Sequence, residues 1–138
     1  MTDPVDDFLT RWHRFVADRD AAILAPLLAP DVSLASPPHQ AKFEGPELVL
    51  HLLDLIVHTI EDFRYRRQWR DGREIALEFT GRVGECELQG IDLIHLDAQA
   101  RLGSLDVLMR PKSAIEALER IIAPQMIAYL ARRRQASA

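Results

Sequence analysis

Residues 63–110 read FRYRRQWRDGREIALEFTGRVGECELQGIDLIHLDAQARLGSLDVLMR, and the period of this stretch decides the fold. Apolar and polar side chains alternate along it, as they do in strands with one buried face. Phe63, Tyr65 and Trp69 alternate with Arg64, Arg66, Gln68 and Arg70, and Arg67 is an exception on the apolar parity. Asp71-Gly72 is a two-residue hairpin signal. Ile75, Leu77, Phe79 and Val83 then alternate with Glu74, Ala76, Glu78 and Arg82. Gly84-Glu85 makes a turn into a third strand, Cys86 to Leu96, and Asp97-Ala98-Gln99-Ala100 turns into a fourth, Arg101 to Arg110. Four consecutive strands with short turns predict an antiparallel meander.

On either side of the meander the period is close to 3.6. Val5, Phe8, Leu9, Trp12, Phe15 and Val16 form one apolar helix stripe, with Asp3 as its cap and Pro4 at the first helical position. A short helix is expected over Asp20 to Leu28, bent by Pro26, followed by a brief strand, Val32 to Ala35. Gly45-Pro46-Glu47 opens a third helix striped by Leu48, Leu52, Leu55 and Ile56. After Pro111, Ser113-Ala114-Ile115-Glu116 reads as a capping box for a last helix, with a kink at Pro124 and a polar tail, 132–138, that should fray. Helices folded against one face of a bent sheet give an α+β cone with an apolar interior and one open mouth.

The chain has 138 residues, 48% hydrophobic and 28% charged, which suits one globular domain over residues 1–138. Seventeen basic and 21 acidic residues leave a net charge of −4. That balance disfavours nucleic acid as a partner, although Arg64, Arg66, Arg67, Arg70 and Arg73 interleave with aromatic residues. No apolar run approaches the roughly 20 residues that span a bilayer, and the acidic start lacks a signal-peptide pattern. A soluble cytoplasmic protein without membrane association is the expectation. One cysteine excludes an intramolecular disulfide. His51, Asp54 and His58 share one side of the third helix, but two turns separate the histidines and no third ligand is evident. No metal or other cofactor is expected.

Asp92 is the most informative residue. Strand parity puts it on one face with Cys86, Leu88, Ile94 and Leu96, a single acid in an apolar row. If that face is interior, desolvation raises its pKa, and the neutral acid can donate to a developing oxyanion or shuttle a proton. Arg67 is the candidate for holding an anionic group on the same interior. His39, after Ser36-Pro37-Pro38 near the expected mouth, is the candidate base. His95 has the opposite parity and should face away.

These residues carry a resemblance. Arg11-Trp12-His13-Arg14-Phe15-Val16, with Asp20 and Leu28-Ala29-Pro30-Asp31-Val32, resembles the opening of the nuclear-transport-factor-2-like (NTF2-like) superfamily. The run from Gly90-Ile91-Asp92 through Arg101-Leu102 resembles its late strand, turn and next strand, and Met109-Arg110-Pro111 is similar to its SnoaL-like, polyketide-cyclase-like branch. The resemblance covers nearly the whole chain. It implies a cone-shaped fold: a curved antiparallel sheet wrapped on its concave face by the N-terminal helices, plus a C-terminal helix. It also implies a homodimer through the outer face of the sheet, where Ile91 and Leu93 fall. Activity is less specified, because one fold hosts many functions.

Matched to the ketosteroid isomerases of the superfamily, Asp92 stands where those proteins keep a protonated oxyanion-hole aspartate. Ile75, Leu77, Phe79, Cys86 and Leu88 fall on pocket-lining positions, as do Leu105, Val107 and Met109. Two positions depart from the pattern. Trp12 replaces the oxyanion-hole tyrosine, and Ser36 replaces the general-base aspartate, so ordinary ketosteroid isomerase chemistry is not expected. The Asp-Arg-Asp relay of the related epoxide hydrolases is not evident either. Cyclases of the branch use an acid in the sheet, a role open to Asp92. Trp12, Phe15, Ser36 and Arg67 join the expected ligand contacts. The expected partner is a small apolar or aromatic molecule bearing oxygen, bound or subjected to acid/base isomerisation, cyclisation or dehydration. The alternative is a dimeric binding or interaction module without catalysis.

Overall fold

The computed structural model describes residues 3–137, so Met1, Thr2 and Ala138 of the expected 1–138 domain lie outside the described residues. The order is α1 (Pro4–Asp18), α2 (Ala21–Leu24) with a 3-10 turn (Ala25–Leu27), β1 (Leu28–Ala35), β2 (Phe43–Glu44) and α3 (Pro46–Thr59). Strands β3 (Glu61–Asp71), β4 (Glu74–Val83), β5 (Cys86–Leu96) and β6 (Leu102–Arg110) follow, then α4 (Lys112–Ser137). One curved, unclosed sheet runs in the order β2-β1-β6-β5-β4-β3.

Strands β3 to β6 form the antiparallel meander that their alternation predicts. The sheet as a whole is mixed, a correction to the all-antiparallel expectation: β1 pairs parallel to β6, with Leu34 opposite Leu105. β1 also starts at Leu28 rather than at Val32. Its pairing is irregular between Leu28 and Ser33, and Pro30, which has no N–H to give a ladder, sits in that gap.

α1 forms as its sequence dictates. The Asp3 carboxylate accepts from Val5 N at 2.9 Å, and Val5, Phe8, Leu9, Trp12 and Phe15 are buried. Its polar edge is tied to β3 by Arg70, which donates to Asp6 at 2.6 Å and Asp3 at 2.8 Å, and by His13 against Gln68 at 3.0 Å. α4 departs from expectation at both ends. It begins at Lys112, so Ser113 lies inside the first turn instead of capping it, and Glu116 pairs with Lys112 at 3.8 Å. It continues through Pro124 to Ser137, so residues 132–137, expected to fray, are helical.

Two local features shape the concave face. A Cβ on Gly90 would stand 2.4 Å from Phe79 Cζ and 2.5 Å from the Leu108 carbonyl oxygen, so only glycine lets the Phe79 ring lie across β5. In β3 the register slips: Tyr65 pairs with Phe79, but Arg67 pairs with Glu78, leaving Arg66 as the extra residue of a bulge. The slip inverts the parity of everything after it. Phe63 and Tyr65 therefore face the interior, while Arg67 and Trp69 face outward.

Candidate functional site

The concave face, α1, α3 and α4 enclose a cavity of about 300 Å3. The sheet supplies Phe63, Tyr65, Phe79, Asp92, Val107 and Met109; α1 supplies Trp12, Phe15 and Val16; and α3 supplies Leu52, Leu53, Ile56 and Val57. α4 closes another side with an apolar stripe in which Glu119 stands, and Ser36-Pro37-Pro38-His39 with Phe43 complete the wall. The exposed lining residues Pro38, His39 and Ile127 form the rim. His39 is edge-on to Phe43, with ring centres 5.7 Å apart. The wall is overwhelmingly apolar. Among the described residues only Asp92 and Glu119 bring carboxyl groups to it.

Asp92 reaches the cavity because β5 alternates cleanly, with residues 88, 90, 92, 94 and 96 turned inward. The Tyr65 hydroxyl donates to its Oδ2 at 2.7 Å, and Trp12 Nε1 donates to the Tyr65 hydroxyl oxygen at 2.9 Å. Phe8 stacks on Trp12 at 5.8 Å and Phe15 meets it edge-on at 5.6 Å, which fixes the indole. The chain has a direction. An indole N–H can only donate, so the tyrosine must accept from Trp12 and spend its own proton on Asp92. Oδ2 is thereby engaged as an acceptor, and because a carbonyl-type oxygen accepts better than a hydroxyl one, the proton of the neutral acid is favoured on Oδ1. Among the described residues Oδ1 has no hydrogen-bond partner.

Burial pushes the Asp92 carboxyl up to about 7, against the opposing pull of the Tyr65 hydrogen bond. At neutral pH the group is thus divided between donor and acceptor forms. The Tyr65 hydroxyl is raised well above its ordinary range by burial first and by the Asp92 charge second, so it stays a neutral donor.

Of the residues singled out in the sequence, Asp92, His39, Trp12, Phe15, Ser36, Phe79, Val107 and Met109 line the cavity. Ile75, Leu77, Leu88 and Leu105 do not: they are on the predicted faces and buried, but in the packed core beyond the cavity wall. Cys86, half-buried, is not in the wall either. Arg67 is the sharpest correction. The bulge turns it outward, where Nε and Nη2 donate to Glu78 at 2.9 and 2.6 Å and its guanidinium lies 5.3 Å from the Trp69 ring centre. Gln89 also donates to Glu78, and these hydrogen bonds, that of the Arg67 guanidinium above all, hold this carboxyl down at about 2. His95, as expected, faces away and pairs with Glu74. His58 folds back on its own helix, with Nδ1 2.8 Å from the Asp54 carbonyl oxygen, while His51 stacks on Tyr129 of α4 at 3.8 Å.

Sequence reading assigned none of the α3 and α4 residues to the wall, and it missed two polar wall residues, Tyr65 and Glu119. Tyr65 reads as an ordinary inward aromatic; its signal was a hydroxyl on the same inward parity as Phe63, two strands from Asp92. Glu119 reads as a charge on a surface helix; its signal was its place within the stripe of Ile115, Leu118 and Ile122.

Neither a protein-family model nor a curated protein matches the chain. Solved structures do. A steroid delta-isomerase from Pseudomonas aeruginosa is 37% identical over 95% of this chain and 97% of its own, with a TM-score of 0.87. An NTF2-like protein of unknown function from Cytophaga hutchinsonii (15% identity, 82% and 96% covered, TM-score 0.64) shares the fold. So does a protein assigned as a polyketide cyclase from Sinorhizobium meliloti (14% identity, 78% and 100% covered, TM-score 0.61). With the cone, the C-terminal helix and 37% identity to a steroid delta-isomerase over nearly the whole of both chains, the chain belongs to the NTF2-like superfamily.

Proposed function

We propose that this protein receives an apolar, ring-sized molecule carrying a carbonyl or phenolic oxygen, and that Asp92 binds that oxygen and handles its proton as part of an acid/base isomerase. The observation that carries this reading is the Trp12–Tyr65–Asp92 chain of hydrogen bonds, ending at an unpartnered Oδ1 in an apolar cavity. Such walls bind by apolar burial and leave orientation to a few polar atoms. An acid titrating near neutrality is matched to proton transfer at physiological pH. Ser36 argues against ordinary ketosteroid isomerase chemistry with an aspartate base, but the 37% identity to a steroid delta-isomerase supports a fused-ring ketone as the substrate class, with His39 in place of that base.

In the proposed cycle, neutral Asp92 donates from Oδ1 to the ketone oxygen. His39 at the rim removes a proton from the adjacent carbon, forming a dienol. The His39 proton then returns to the far carbon of the conjugated system, and Asp92 recovers its own. Ser36, lining the same wall, has no carboxyl group to serve as that base.

The test is incubation with a β,γ-unsaturated 3-ketosteroid, followed by the absorbance of the conjugated enone. Wild type should turn over, Asp92→Asn should lose at least about a hundredfold, and His39→Ala should lose activity while still binding a phenolic steroid. Binding without turnover would leave the second reading, a ligand-binding module. Ser36 at the position of the family's base favours that reading. The outer face of the sheet, where Trp69, Leu93 and Leu108 are exposed, supports a second copy of the chain as the further partner in either case. Sedimentation equilibrium checks that.

A further inference from the structure

Glu119 is a second polar pole of the same cavity. It lies on α4 between Leu118 and Ile122, in the stripe that faces the interior, where the helix period calls for an apolar side chain. Glu119 is half-buried, so its carboxyl group reaches both the cavity and solvent and is open to a ligand's donor. Its own helix does not occupy it. Both nearby cations go to Glu116 instead, Lys112 at 3.8 Å and Arg120 at 4.0 Å. Among the described residues no hydrogen bond or ion pair reaches Glu119, and no basic side chain other than His39 lines the cavity with it. It enters from the helix wall, whereas Asp92 enters from the sheet wall.

We infer that Glu119 is a specificity-determining residue: it accepts a hydrogen bond from a donor, a hydroxyl or an amine, at the end of the ligand remote from the oxygen held by Asp92. This rests on the cavity reading given above and narrows it. The ligand class becomes an elongated apolar ring system with an oxygen at one end and a hydrogen-bond donor at the other. A ligand ending in a bare carbonyl would set lone pairs against the carboxylate and is disfavoured.

Estradiol and estrone separate these cases, because they share a phenol and differ at the other end as hydroxyl against ketone. Calorimetric or fluorescence titration of both should show wild type preferring estradiol by roughly tenfold or more, the scale of a hydrogen bond to a charged group. In Glu119→Leu the ratio should fall to about one through weaker estradiol binding. In Glu119→Gln, whose amide also donates, estrone should tighten. Asp92→Asn should weaken both steroids alike and leave the ratio standing. A wild-type ratio near one, or a ratio that Glu119→Leu leaves unchanged while both steroids bind, overturns the role of Glu119 and spares the cavity reading. A ratio that follows Asp92→Asn instead overturns it as well. Failure of both steroids to bind wild type sinks the cavity reading, and the Glu119 inference with it.

Discussion

The Tyr65 hydroxyl and Asp92 Oδ2 meet at 2.7 Å although they lie two strands apart, on β3 and β5. Tyr65 pairs with Phe79, and Phe79 with Gly90, the residue two before Asp92 on the same face. The hydrogen bond therefore crosses β4 diagonally, ending one inward-facing residue along β5 from the line that joins Tyr65, Phe79 and Gly90. This bond fixes the orientation of a buried acid and moderates the effect of its burial.

Asp92 makes stability depend on pH. Its native-state pKa of about 7 lies above the ordinary 3.8, so folding favours the protonated form. The benefit is complete below about pH 4 and is lost as pH rises through 7. The shift corresponds to roughly 4 kcal/mol. Asp92→Asn keeps an acceptor for Tyr65 and removes the titration. In urea unfolding, the stability of the variant relative to wild type should rise between pH 4.5 and 8 and then level off. A difference that does not vary with pH would show that Asp92 is not desolvated in solution.

Tyr65→Phe removes the hydrogen bond that holds the Asp92 carboxyl down. The Asp92 titration should then move above 7, by about one unit, as read from its carboxyl carbon resonance. Trp12→Phe, which leaves the tyrosine in place, should move it the same way by less. A downward move in either variant contradicts the direction of the chain.

Arg67→Ala tests the outer face. Glu78 titrates near 2 instead of 4.5, so its contribution is present above pH 4.5 and is lost as pH falls toward 2. The variant should have a lower thermal midpoint at pH 7, and the deficit should shrink on acidification through that window. Affinity for a phenolic probe in the cavity should stay within about twofold of wild type, since Arg67→Ala perturbs contacts on the opposite side of the sheet. A large loss of affinity would mean that the guanidinium serves the interior.

Gly90→Ala should destabilise by roughly 1–3 kcal/mol, because the added methyl meets Phe79 Cζ at 2.4 Å in a packed wall. Adding Phe79→Leu should recover only part of that loss, since the Leu108 carbonyl oxygen at 2.5 Å is backbone and cannot be trimmed. Full recovery in chemical denaturation would place all the strain on the ring.

The meander, α1 with its cap and the inward place of Asp92 were legible because each depends on a local period, two in strands and 3.6 in helices. What failed depends on partners. The outward turn of Arg67 follows from one unpaired residue, and the only trace of it was the Arg66-Arg67 repeat breaking the alternation. The parallel pairing of β1 depends on β6, some 70 positions later in the chain. Ile75, Leu77, Leu88 and Leu105 show that parity gives a side chain's face but not its depth. Tyr65 was readable only once β5 brought Asp92 within reach, and Glu119 only once α4 lay over the sheet, because polarity on an inward face has meaning only against what it faces.

The bulge at Arg66 acts on β3 as a frameshift acts on a message. Before it, odd-numbered residues face the cavity; after it, even-numbered ones do, and Gln68 and Arg70 hold α1 instead of a ligand. One strand thus carries two separately written halves, an aromatic one for the ligand and a polar one for the helix. Point substitutions can tune either half alone. Removing Arg66 would make Tyr65–Phe79 and Arg67–Glu78 successive pairs, so the strand would lose its bulge while each half kept its audience; deleting a residue on either side of the junction would instead turn one half to the wrong face.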